Sequence, residues 1–163
     1  MQTDIKRALP SDAPDLAALH AQALPPGWLA ADIAASCSAT NRIVLKAVDG
    51  AVLLGFAIFQ FAADEAEILS IAVAEGARRR RVASSLMEAG IAACQEKLVS
   101  CIYLEVAEEN AAALRLYEKF GFLGIAHRKN YYQDARPAPE TALIMRLDTG
   151  RGLSQIVRQT GAA

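Results

Sequence analysis

The segment that most constrains the fold of this chain is an apolar strand that runs through a short turn into a helix. Residues 68–73, Ile-Leu-Ser-Ile-Ala-Val, predict the strand, and residues 74–77 predict the turn. Four consecutive arginines at 78–81 then open a stretch with apolar side chains at helical spacing, which continues to Leu98. We therefore predict a helix that begins at Arg78 and belongs to a layered fold of strands and helices.

The four arginines, here called the arginine cluster (residues 78–81), concentrate positive charge at the start of that helix. A helix start has unpaired N–H groups and the positive end of the macrodipole, so it favours anions. The chain has a formal net charge of −1 and would carry −5 without the cluster. One basic spot on a mildly acidic body suits a small phosphorylated ligand better than a nucleic acid, whose binding proteins spread Lys and Arg over a face. A solvated helix turn without a ligand is the simplest alternative.

The order of predicted elements is β-α-α-β-β-β-α-β-α-β-β, without an internal repeat. Asp49-Gly50 predicts a tight hairpin turn, and Pro25-Pro26-Gly27 ends the first helix. Hairpins come first and β-α-β units later. We therefore predict an α/β (α+β) fold with a central mixed, mostly antiparallel sheet of about seven strands flanked by about four helices. The predicted strands span 3–9, 42–48, 51–61, 66–73, 101–106, 122–128 and 141–147, and the predicted helices begin at Pro10, Trp28, Arg78 and Asn110.

The composition is typical of one soluble globular domain. Of the 163 residues, 53% are hydrophobic and 21% are charged, and no apolar run reaches the roughly 18 residues of a membrane span. We predict a single domain over residues 1–147 and a polar, flexible tail over 148–163. The N-terminus lacks the apolar block of a signal peptide, and the three cysteines match no metal site. We therefore expect a cytoplasmic protein with reduced thiols and no bound metal.

A carboxylate on the strand at 101–106 and a tyrosine on the next helix are candidates for acid–base chemistry. Alternation places Glu105 and Tyr103 on the sheet face opposite the aliphatic residues of this strand. Asn110 is a good N-cap for the helix, and a three-residue loop holds Glu105 and Tyr117 on neighbouring rigid elements. Each residue also has a simpler interpretation. Glu105 would lie at the solvated end of its strand and pair with an arginine, and Tyr117 would belong to the core.

These motifs together resemble the GCN5-related N-acetyltransferase (GNAT) superfamily, over residues 3–147. Within it, the segments around Trp28, Tyr131 and Met145 resemble the bacterial ribosomal-protein alanine N-acetyltransferases (RimI type). The superfamily motifs are Ile71-Ala72-Val73, Arg78-x-x-Arg81-x-Ala83, Leu104-Glu105-Val106 and Asn110-Ala111-Ala112-Ala113-x-x-Leu116-Tyr117-x-x-x-Gly121-Phe122. Those of the subgroup are Pro25-Pro26-Gly27-Trp28, Arg128-x-Asn130-Tyr131-Tyr132 and Leu143-Ile144-Met145-x-Leu147.

The resemblance implies an N-acetyltransferase that uses acetyl-CoA. The backbone of 71–73 would pair with the pantetheine arm, and the arginine cluster with the residues after it would hold the pyrophosphate. Glu105 would be the general base and Tyr117 the general acid near the thiolate. The implied cofactor-binding residues are Ile71, Ala72, Val73, Arg78, Arg79, Arg80, Arg81, Val82, Ala83, Ser84, Asn110 and Tyr117, and the implied substrate-binding residues are Trp28, Tyr131 and Tyr132.

One residue departs from the superfamily pattern, Gln/Arg-x-x-Gly-x-Gly/Ala, because Arg81 stands where the first glycine belongs. Glycine allows backbone N–H groups to approach phosphates closely. A positive φ at Arg81 would cost about 1–2 kcal/mol. Ala83 keeps the second small position, so we expect Arg81 to lie in the first helical turn with its side chain directed away.

The function that the resemblance implies is direct acetyl transfer to the α-amine of a protein N-terminus, with a ribosomal protein as a candidate partner. An α-amine has a pKa of about 7.7–8.0 against about 10.4 for lysine, so a single carboxylate suits it. A lysine, a polyamine or an antibiotic amine is an alternative acceptor. An acyl-CoA-sensing interaction module and an RNA-binding protein are alternatives of other classes. We expect a monomer or weak dimer without a direct nucleic-acid or membrane partner.

Overall fold

The computed structural model of the chain describes residues 3–128 and 141–150. Its elements follow the predicted order, with a short 3-10 turn before the first and third helices. The strands are β1 Asp4–Arg7, β2 Arg42–Asp49, β3 Val52–Ala62, β4 Glu65–Val73, β5 Cys101–Ala107, β6 Leu123–Arg128 and β7 Ala142–Asp148. The helices are α1 Ala13–Ala23, α2 Ala30–Ser38, α3 Val82–Glu96 and α4 Ala111–Lys119.

The described strands form one seven-stranded sheet in the order β1-β2-β3-β4-β5-β7-β6. β4 and β5 pair in parallel, and the other neighbouring strands pair antiparallel. The parallel pair is the expected result of the β4-α3-β5 crossover, because a helix must return the chain to the same end of the sheet. The predicted mixed, mostly antiparallel sheet flanked by helices is confirmed.

Two hydrophobic clusters cover the two faces of this sheet. α3 and α4 contribute to the cluster on one face, and α1 and α2 contribute to the cluster on the other. Large buried residues of the first cluster include Phe59, Leu86, Ile102 and Phe122, and those of the second include Leu16, Ile33, Phe56 and Ile58. The sheet is therefore the middle layer of three.

Gly90 allows α3 to lie unusually close to the sheet. A Cβ atom at this position would lie 2.0 Å from Cζ of Phe59 on β3. No real Cβ tolerates such a distance, so the small residue sets the separation between α3 and β3. The contact therefore helps to set the distance between the start of α3 and the end of β4.

β4 and β5 separate part-way along their length. Their pairing runs from Glu65 with Cys101 to Ile68 with Leu104 and then stops. β4 nevertheless stays paired with β3 as far as Val73, and β5 stays paired with β7 as far as Ala107. The sheet consequently opens between the two strands, and no strand in the described part of the chain pairs with the backbone edge of residues 69–73 on the β5 side.

A bulge in β4 lies where this opening begins. The register with β3 shifts between Ile58 and Phe59, which pair with Ser70 and Ile68. Leu69 is therefore the extra residue on β4. A bulge bends its strand and increases the local twist, which directs β4 away from β5.

Several predicted boundaries are wrong by a few residues. α3 begins at Val82 rather than at Arg78, and it ends at Glu96 because Leu98 adopts a positive φ of 61°. α2 begins at Ala30 rather than at Trp28, because Leu29 is extended (ψ 148°) and forms its N-cap. The predicted tail lies mostly in residues 151–163, outside the described residues. None of the helices in the described part of the chain has the length and apolar character needed to cross a membrane.

Candidate active site

The loop that carries the arginine cluster is not helical. Arg79 and Arg81 have φ values of 60° and 64°, and Arg81 is the left-handed N-cap residue of α3. The expectation that Arg81 lies in the first helical turn is therefore wrong. The left-handed backbone is what the superfamily glycine would permit without strain, and an arginine here costs about 1–2 kcal/mol.

This loop presents a run of free backbone donors. Arg78 N–H donates to the Glu75 carbonyl and Ser85 N–H donates to the Arg81 carbonyl, at 3.2 and 2.9 Å. The N–H groups of residues 79–84, between these two, have no acceptor among the described residues. Residues in alternating left-handed conformation before a helix form an anion-binding concavity. The side chains of the arginine cluster are exposed around it, so the loop is suited to a phosphate or pyrophosphate.

A cleft of about 300 Å³ lies beside the open edge of β4. It is lined by Ala23, Leu24, Ile71, Ala72, Val73, Arg78, Asn110 and Ala112. Asn110 is also the N-cap of α4, because its Oδ1 accepts a hydrogen bond of 3.1 Å from the Ala113 N–H. The structure thus brings the predicted residues 71–73, Arg78 and Asn110 to one cleft.

Glu105 lies in a groove of about 270 Å³ on the sheet face of α1 and α2, which Glu65, Glu67 and Tyr103 also line. Its side chain alternates with Leu104 and Val106, which belong to the cluster beneath α3 and α4. Arg128 Nη1 donates a hydrogen bond of 2.7 Å to Glu105 Oε1, and both side chains are partly exposed. The simpler interpretation of Glu105, a solvated carboxylate paired with an arginine, is thus present in the structure.

Glu67 is a functional candidate that the sequence analysis missed. It pairs with Tyr103 in the β4–β5 ladder and lines the same groove as Glu105. Partial burial and, next, the negative charge of Glu105 raise its pKa, although Arg128 opposes the shift. Glu67 lies between Ala66 and Ile68 in β4, as Glu105 lies between apolar residues in β5. The same alternation of apolar and charged residues could therefore have identified it from the sequence.

Tyr117 lies on α4 in the cluster on the opposite face from Glu105. Its ring contacts that of Phe122 at a centroid distance of 5.9 Å, and 6% of the residue is exposed. Burial raises the pKa of its phenol to about 12. The hydroxyl therefore stays protonated at neutral pH and can donate a proton. Glu105 and Tyr117 thus lie on opposite faces of the sheet, near the place where β4 and β5 separate.

Of the three predicted substrate-binding residues, Trp28 lies in the described part of the chain. It is half-buried in the segment between α1 and α2, and its ring faces that of His20 at 6.0 Å. Tyr131 and Tyr132 lie outside the described residues. Their predicted role stays a prediction.

A family model identifies the fold. The model of the acetyltransferase (GNAT) family matches residues 13–122, which include β4, the arginine cluster, Glu105 and Tyr117. The chain belongs to the GNAT family. It is therefore an N-acetyltransferase, and its cofactor is acetyl-CoA. The predicted family, enzyme class and cofactor are confirmed.

Two relatives show which GNAT proteins the chain is similar to. The [ribosomal protein bS18]-alanine N-acetyltransferase of Haemophilus ducreyi is 36% identical over 103 residues, which are 63% of this chain and 71% of that protein. The protein of the same name from Escherichia coli K12 is 39% identical over 97 residues, which are 58% of this chain and 64% of that protein.

Solved structures extend the similarity over nearly the whole fold. The ribosomal-protein-S18-alanine N-acetyltransferase from Escherichia coli has a TM-score of 0.83 at 28% identity and covers 91% of this chain and 94% of its own. Arabidopsis thaliana NAA60 in complex with acetyl-CoA has a TM-score of 0.80 at 18% identity, with 90% and 98% coverage. The similarity to NAA60, at 18% identity, shows the fold alone.

The residues present in this GNAT chain fit acetyl-CoA. The free N–H groups of residues 79–84 and the exposed arginine cluster match the negative charge of its pyrophosphate. The unpartnered edge of residues 69–73 offers backbone donors and acceptors to an amide-containing arm such as pantetheine. Ala72 and Ala112 keep side chains small along the cleft that joins these two places.

Proposed function

We propose that this enzyme transfers the acetyl group of acetyl-CoA to the α-amine of a protein N-terminus, with a ribosomal protein as a candidate acceptor. The observation that carries the chemistry is the opening between β4 and β5, with Glu105 on one face and Tyr117 on the other. The acceptor class is supported by relatives at 36–40% identity that are named for the alanine of a ribosomal protein.

Bound acetyl-CoA supplies an activated thioester carbonyl. In our proposal, the N–H groups of residues 79–84 hold its phosphates, and the β4 edge beyond the Leu69 bulge orients the reacting end. Glu105, directly or through a water, accepts a proton from the acceptor ammonium so that the neutral amine attacks. Tyr117 donates its hydroxyl proton to the sulfur as the C–S bond breaks, and the second proton of the acylated nitrogen restores the phenol. Direct attack requires no enzyme nucleophile, so Cys94 and Cys101, both buried, have no part in it.

The environment of Tyr117 keeps its hydroxyl protonated. Its buried phenol has a pKa raised to about 12, because the charged phenolate is poorly solvated. The raised pKa makes this phenol a weaker acid than a thiol, whose ordinary pKa is about 8.5. In the proposal, proton transfer therefore depends on the position of the hydroxyl beside the departing sulfur and on the breaking of the C–S bond in the same step.

A single carboxylate, Glu105, limits the kind of amine that the enzyme can deprotonate. Its Oε1 already accepts a hydrogen bond of 2.7 Å from Arg128 Nη1. An α-ammonium with a pKa of about 7.7–8.0 gives up its proton to a weak base more readily than a lysine at about 10.4. Glu67 adds negative charge to the same groove and attracts the incoming cation. The groove therefore favours an α-amine.

Three single variants test the assignment of acid and base. We expect Glu105→Gln and Tyr117→Phe each to lower kcat/KM on a peptide acceptor by at least about 100-fold, the lower range for a general acid or base. Glu67→Gln, which removes a carboxylate from the same groove, is the matched control and should lose less than about tenfold. Acetyl-CoA affinity, measured by calorimetry, should change little in all three. Full activity of both Glu105→Gln and Tyr117→Phe would refute the mechanism, and a larger loss in Glu67→Gln would transfer the role of base to Glu67.

The acceptor is tested with a matched pair of peptides. One has a free N-terminus and an internal lysine, and the other has the same sequence with a blocked N-terminus. Mass spectrometry after incubation with acetyl-CoA should find the acetyl group on the α-amine of the first peptide and little product from the second. Equal modification of the lysine in both would establish the lysine alternative. Acetyl-CoA binding without acetylation of any peptide would support a sensing module.

A further inference from the structure

His20 is a buried titratable residue that the proposed mechanism does not use. It lies on α1, with 5% of its surface exposed, and its ring contacts the rings of Trp28 and Phe56 at 6.0 and 5.9 Å. Both ring nitrogens have hydrogen-bond partners. Nε2 lies 3.0 Å from Ser70 Oγ, and Nδ1 accepts a hydrogen bond of 3.2 Å from the Trp28 N–H.

These two bonds fix the tautomer of His20. A backbone N–H can only donate, so Nδ1 must be the unprotonated nitrogen. Nε2 then carries the hydrogen and donates it to Ser70 Oγ. The side chain thus acts as a bridge with one end on β4 and the other on the segment between α1 and α2 (residues 24–29).

Both ends of the bridge lie next to the candidate active site. Ser70 follows the bulge residue Leu69, where β4 leaves β5. Leu24, at the start of the bridged segment, lines the cleft together with residues 71–73 of β4. Ser70 and the segment lie on the sheet face of α1, which is also the face of Glu67 and Glu105.

We propose that His20 is a positioning residue for acetyl-CoA, because it holds the segment 24–29 against the bulged part of β4. The segment then keeps Leu24 in place as part of the wall of the cleft beside residues 71–73. Loss of the bridge should loosen Trp28 and Leu24 and weaken acetyl-CoA binding, while the acid, the base and the phosphate loop stay in place. The bridge and the affinity for acetyl-CoA are both measurable without any acceptor.

Trp28 is the single tryptophan of the chain, so its fluorescence reports directly on this segment. We expect His20→Phe, which keeps a ring but removes both bonds, to increase acrylamide quenching of Trp28 at least about twofold. His20→Asn places an amide oxygen near the position of Nδ1 and should restore most of the protection. Ser36→Ala is the matched control, since Ser36 is a fully buried serine whose hydroxyl bonds to the Asp32 carbonyl, away from the cleft. It should leave quenching unchanged.

The binding test uses the same variants with acetyl-CoA in calorimetry. His20→Phe should raise the Kd for acetyl-CoA about five- to tenfold, within the range expected for the loss of buried hydrogen bonds. His20→Asn should recover most of the lost affinity. Unchanged quenching in His20→Phe would refute the bridge, and changed quenching with an unchanged Kd would refute its role in acetyl-CoA binding.

Discussion

The left-handed conformation of Arg81 leads to a prediction that opposes the usual effect of glycine. In this chain Arg81 has φ 64° and ψ 9°, directly before α3, and its side chain is exposed. Replacement by glycine removes the contact between Cβ and the neighbouring carbonyl that disfavours this conformation. We therefore expect Arg81→Gly to stabilise the protein relative to Arg81→Ala.

The magnitude follows from two opposing terms. Relief of the left-handed strain is worth about 1–2 kcal/mol. The greater freedom of glycine in the unfolded chain costs about 0.4–1 kcal/mol. The net gain lies between about 0 and 1.6 kcal/mol, and its midpoint of about 0.8 kcal/mol corresponds to a rise in Tm of about 2–3 °C for a domain of this size.

The assay is thermal unfolding of both variants, followed by circular dichroism without cofactor. Arg81→Ala is the right reference, because both variants lack the guanidinium and differ only in the Cβ atom. A glycine variant that melts at or below the Tm of the alanine variant would show that Arg81 carries no backbone strain. The same result would restore the sequence-based expectation that α3 includes this residue.

Two further predictions concern stability. Gly90→Ala should lower the free energy of unfolding by about 1–3 kcal/mol in chemical denaturation, because its Cβ would lie 2.0 Å from the Phe59 ring. Gly76→Ala is the control, since a Cβ at Gly76 meets nothing within 4 Å, and it should leave the free energy of unfolding unchanged. Equal stability of the two variants would contradict the close packing of α3. Burial lowers the pKa of His20 below 6.5, so the unfolded chain takes up a proton before the folded protein does and stability falls as the pH drops below about 6.5. The Tm of the wild type should thus decrease more between pH 7.5 and pH 5 than that of His20→Phe, and parallel decreases would argue against a neutral buried His20.

The sequence was sufficient to predict the order of elements and the mixed sheet. Alternation in β5 depends on local chemistry and appears in the structure. The predicted hairpin turn lies one residue later than Asp49-Gly50, at Gly50 and Ala51. Asn110 was likewise predictable as an N-cap, because its side chain needs only the N–H three residues later. Local rules worked where a few neighbouring residues decide the conformation.

The parts of the site that sequence patterns did not predict depend on pairing between distant segments. The bulge at Leu69 exists only relative to β3. An arginine partner for Glu105 was foreseen, but its identity as Arg128, 23 positions away, was not. The start of α3 was misplaced for another reason. Arginine is a good helix former, so residues 78–81 look helical, whereas the loop requires positive φ at Arg79 and Arg81.

The separation of β4 and β5 also has a consequence for how an enzyme of this design meets its two substrates. The opening passes through a sheet that is covered on each face by different helices. A cofactor held at the start of α3 and an acceptor lying in the carboxylate groove would therefore reach the opening by different routes. In the proposed mechanism neither substrate would have to leave before the other arrives. The acetyl group would then pass from the thioester to the amine without an acyl-enzyme intermediate.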